Sequence, residues 1–87
     1  MQKVTESHLK KNLTATTTIT GITSLTGIFV AQASSTPTIK VADVTGTIIN
    51  TFIPLAGSYY PMPCDVDGKQ LTVTISGTVD CTVFFSF

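Results

Sequence analysis

The sequence predicts an all-β protein: a small antiparallel β-sandwich or jelly-roll-like barrel of about seven strands behind an N-terminal arm. Three observations predict it. Apolar and polar residues alternate with a period of two along most of the chain after residue 11. Turn signals built from Gly, Pro, Ser and Asp recur about every eight to twelve residues, too close for strands that alternate with helices. Threonine, β-branched and polar without charge, fills seventeen of the 87 positions, which suits strands with a watered face.

Residues 1–11 stand apart from the rest. Lys3, Glu6, Lys10 and Lys11 lie there with His8, and Val4 and Leu9 are the substantial apolar residues. The stretch reads as an extended arm, with a single helical turn as the alternative, and residues 12–87 as the β-domain. Residues 12–20, NLTATTTIT, make the first strand, with Leu13 and Ile19 on its half-apolar face. Residues 24–33 make a second, apolar on both faces and therefore expected to be covered on both sides. Gly27 within it signals a bulge or a close backbone approach. Ser34 to Pro37 reads as a turn or loop, and residues 38–42 as a short strand with Ile39 and Val41 inward and Lys40 outward.

Residues 47–53 form the next strand, again apolar on both sides through Ile48, Ile49, Phe52 and Ile53. Residues 54–63, PLAGSYYPMP, read as irregular, because proline lacks a backbone donor and three of them bar a central strand. Tyr59 and Tyr60 sit in this stretch. They suit either a contact surface, where tyrosine is enriched, or a plug for the end of the sandwich. Residues 64–66 form a short strand, and Asp67-Gly68 signals a type I′ hairpin turn. The last stretch, Lys69 to Phe87, then reads as two strands with a turn at Gly77-Thr78, together the central hairpin of the fold. Leu71, Val73 and Ile75 face inward, followed by Val79, Cys81, Val83, Phe85 and Phe87. Phe84 falls on the opposite, outward face. Burying an aromatic ring stabilises by about 1.5–3 kcal/mol, so an outward Phe84 is expected to meet a neighbouring subunit.

Length and charge narrow the function. One domain of 87 residues is near the lower limit for independent folding, where disulfides, metals or oligomerisation usually help. Two cysteines allow one internal disulfide at most, and Cys81, on the apolar face, packs as a small hydrophobe. With no export signal before them, Cys64 and Cys81 are expected to be free thiols, which leaves oligomerisation as the support. Charged residues make up 11% of the chain and cancel to zero, against about a quarter in ordinary domains. That balance argues against nucleic-acid partners, which need a basic footprint, and against electrostatic attachment to a membrane surface. The basic start MQKVTESHLKKN has no apolar run behind it, so it does not read as a secretory signal. No apolar run reaches the length of a membrane span.

No motif announces a chemistry. A nucleophilic triad needs a base beside a serine or cysteine, and His8 is the one histidine. A zinc site needs three or four convergent ligands, more than one histidine and two separated cysteines supply. Asp65-x-Asp67-Gly68 resembles the start of a calcium loop, but Gln70, Leu71 and Thr72 follow where ligands would be needed. Asp43, Asp65, Asp67 and Asp80 fall mostly in expected turns, where aspartate bonds its own backbone. The glycines are scattered, with no phosphate-cradling loop before a helix. The sequence is read as non-enzymatic, with no cofactor and no metal.

Residues 24–87 carry Ala33-Ser34-Ser35-Thr36-Pro37, Tyr60-Pro61-Met62-Pro63 and Ser76-Gly77-Thr78 with its terminal strand. With these motifs the chain resembles the small β-sandwich structural proteins of tailed-bacteriophage virions, the capsid decoration or cement type. The resemblance implies a homotrimer, the major capsid protein or other virion proteins as partners, and residence in the virion after assembly in the host cytoplasm. It assigns no residue a role. On the residues themselves, the interface expected is Val4 and Leu9 of the arm with Tyr59, Tyr60 and Phe84. The alternative is a tail, fibre or head–tail connector component that contacts other tail proteins or a host glycan.

Overall fold

The computed structural model describes residues 9 to 86. Six strands form one continuous antiparallel sheet: β1 (Leu9–Leu13), β2 (Thr17–Thr20), β3 (Ser24–Asp43), β4 (Gly46–Phe52), β5 (Ser58–Asp65) and β6 (Gln70–Ser86). The protein is all-β, as its alternation predicts. Val4, His8 and Phe87 lie outside the described residues.

Two long strands organise the sheet. β3 and β6 pair along almost their whole length, from Ser24↔Ser86 to Ala42↔Thr72. Beside one half of this ribbon lie β1, against Cys81–Phe85, and β5, against Ser24–Val30. Beside the other half lie β2, against Gln70–Val73, and β4, against Ile39–Asp43. Each half is thus four strands wide.

The ribbon folds back on itself. Gly21 N–H donates to the Lys69 carbonyl at 2.7 Å, and Thr23 N–H to the Ser86 carbonyl at 2.9 Å. Those two carbonyls flank the whole of β6. Seventeen residues laid straight would span about 56 Å, yet two residue steps reach at most about 7 Å. The crease lies where β3 and β6 shift register, between Ser34 and Thr38 opposite Ser76 to Thr78. Ser35, Thr36 and Gly77 all take positive φ there. The result is a two-layer sandwich made from one folded, open sheet, and the shortest dimension of 17 Å accommodates two layers about 10 Å apart.

The core sits between the layers. Cross-strand pairs Val41–Val73, Val30–Cys81 and Ile28–Val83 are fully buried and join Leu71, Leu25, Ile39 and Phe85 in one cluster. Ile22 and Val66, in the loops that bridge the layers, complete it.

Several expectations are corrected. Lys69 to Phe87 is not a hairpin: β6 is one strand through Gly77, because its partner β3 bends at the same place. Asp67-Gly68 does not close a type I′ hairpin. Asp67–Lys69 is a 3₁₀ turn with positive φ at Gly68 and Lys69, and β5 pairs with β3 rather than β6. Residues 12–20 are two strands, one for each layer. The proline-rich stretch contains β5, an edge strand, which needs ladder bonds along one side only. Leu9 to Lys11, placed in the arm, are the start of β1 and pair with Val83–Phe85. Strand 24–33 is covered on one side only: Phe29 faces outward at 38% exposure. The expected irregularity at Gly27 is present as a register shift between Leu25 and Gly27.

Candidate interaction surface

β5 alternates strictly between half-buried and exposed positions from Ser58 to Asp65. That alternation sends its two tyrosines opposite ways. Tyr60 packs against the core with its ring centroid 5.1 Å from that of Phe52. Its hydroxyl accepts the Leu55 N–H at 2.9 Å, which holds the loop between β4 and β5 against the open end of the sandwich. Tyr59 projects outward at 46% exposure. Its ring meets Phe84 edge-on, centroids 6.2 Å apart, a favourable aromatic geometry. Tyr60 is thus turned inward and Tyr59 outward.

Phe84 does face outward, as the alternation of β6 requires. With Thr26, Phe29 and Tyr59 it lines an open cleft of about 390 Å³ on the outer face of one layer. The lining offers three aromatic rings and no carboxylate, imidazole or thiol. Such a cleft gains free energy by leaving water. Phe29 is the member sequence reasoning missed. The irregularity at Gly27 inverts the parity of β3, so that Leu25 and Ile28 both face the core and Phe29 does not.

A second apolar groove of about 380 Å³ opens between β4 and β5, the neighbouring edges of the two layers. Ile49, Phe52, Tyr60, Pro61 and Met62 line it. Ile53 and Leu55 are exposed in the loop that follows β4. β5 contributes Tyr59 to the first and Tyr60, Pro61 and Met62 to the second. Residues 46–63, which supply the lining of the second groove and Tyr59 of the first cleft, include no charged residue and no histidine.

No protein-family model matches this chain, and no curated protein does.

The remaining expected residues fall elsewhere. Leu9 pairs in register with Phe85 and packs against the core. Cys64 and Cys81 are free thiols. Burial, and secondarily the nearby Asp80 carboxylate, pushes the Cys81 thiol up to about 11. Burial also raises Cys64, with Asp65 and Asp43 adding to it. Asp43 serves structure: Oδ1 accepts from the Thr45 hydroxyl at 2.6 Å and the Thr45 N–H at 2.9 Å, and Oδ2 from the Asp67 N–H at 3.1 Å. These bonds hold its carboxyl below the usual carboxylate range, the Thr45 hydroxyl contributing most. Among the described residues no group of three or more His, Cys, Asp or Glu side chains could hold a metal ion. No helix among them is long and apolar enough to cross a membrane.

Proposed function

We propose that this chain is a non-enzymatic structural protein of a phage virion, a decoration or cement protein that self-associates and binds the capsid surface. The observation that carries the reading is the outward aromatic cleft of Phe29, Tyr59 and Phe84 on an otherwise small, charge-poor sandwich. Aromatic anchors set in a flat outer face are the usual centre of a protein–protein contact. Neutral net charge adds little colloidal protection, which favours life within an assembly. The motifs of residues 24–87 supply the virion context by resemblance.

The test mixes purified full-length protein with purified capsids and counts bound copies by cryo-electron microscopy. The reading expects many copies spread over the shell. Density confined to one vertex would instead favour the tail or connector role. The arm is tested by deleting residues 1–8, because Leu9 to Lys11 belong to β1 and their loss would also remove an edge strand. That truncation is expected to keep the fold and lose capsid binding. Normal decoration by the truncated protein would exclude a role for the arm.

A further inference from the structure

We draw no further inference here: the strongest candidate, the apolar groove between β4 and β5 lined by Ile49, Phe52, Tyr60, Pro61 and Met62, carries none because nothing in the structure shows what covers it.

Discussion

Gly27 lies beneath the ring of Tyr59. A Cβ built at Gly27 would overlap the tyrosine hydroxyl and its ζ carbon and would sit 2.8 Å from the Tyr60 carbonyl oxygen. The missing side chain is therefore what lets Tyr59 lie across β3 toward Phe84. One glycine in a central strand, normally a loss of packing and of chain entropy, here builds half of the outward cleft.

Replacing that glycine tests the relationship. Gly27→Ala is expected to destabilise the fold by about 1–3 kcal/mol, the usual cost of overpacking a fixed contact, read from urea denaturation. Placing it in a Tyr59→Ser background should reduce the loss, because one of the two obstructions is then gone. A Gly27→Ala variant as stable as wild type would mean that the ring does not rest there.

Phe84 and Phe85 are neighbours with opposite duties. Phe85 is buried at 6% exposure and belongs to the core, whereas Phe84 is half-buried on the outer face. Phe85→Ser should cost about 3–5 kcal/mol, enough to unfold much of a domain whose total stability is of order 5–15 kcal/mol. Phe84→Ser should cost the fold about 1 kcal/mol or less, roughly half of a full burial, and should weaken self-association more than folding. Equal losses of monomer stability would defeat the assignment.

The crease depends on Gly77. Its φ of +76° and the approach of a built Cβ to the Ser35 carbonyl oxygen at 2.6 Å penalise any side chain twice. Gly57 shares the positive φ, with nothing within 4 Å. Gly77→Ala is expected to lower the thermal midpoint clearly more than Gly57→Ala, since only the first adds a steric clash to the backbone penalty of about 1 kcal/mol. Equal shifts would show that the crease tolerates a side chain.

Asp43 ties the β3–β4 turn to the Asp67–Lys69 turn and gives the fold an acid dependence. Its carboxyl is held below its ordinary value of 3.8 when folded. The unfolded chain therefore takes up the proton first as pH falls, and the stabilisation, complete well above pH 4, is lost as pH drops through the folded value. Unfolding free energy followed from pH 6 down to pH 2, the span over which carboxylates titrate, should decline. Asp43→Asn should flatten part of that decline. An unchanged slope in the variant would assign the acid sensitivity to other carboxylates.

Much of this was legible in the residues themselves. Period-two alternation assigned Val79, Cys81, Val83 and Phe85 to the core and Phe84 to the outside, because side chains on a strand can point only two ways. Composition set the all-β class and the scarcity of charge. The cleft was half legible: Phe84 and Tyr59 came from their own strands, but Phe29 needed the parity inversion at Gly27.

Connectivity was not legible. Ser34 to Pro37 and Ser76 to Thr78 carry ordinary turn signals, and each reads locally as the end of a strand. Whether such a signal ends a strand or merely bends it depends on the partner, and these two partners are about forty residues apart. When both bend together the ladder continues, the expected hairpin and the expected loop become one crease in a folded ribbon, and the layers close on a shared core. The same long-range pairing set Tyr59 outward and Tyr60 inward. The sequence by itself determined the alternation and the class, which are local. The tertiary structure alone decided where the sheet folds and which apolar residues it leaves uncovered, because those follow from pairing between distant segments.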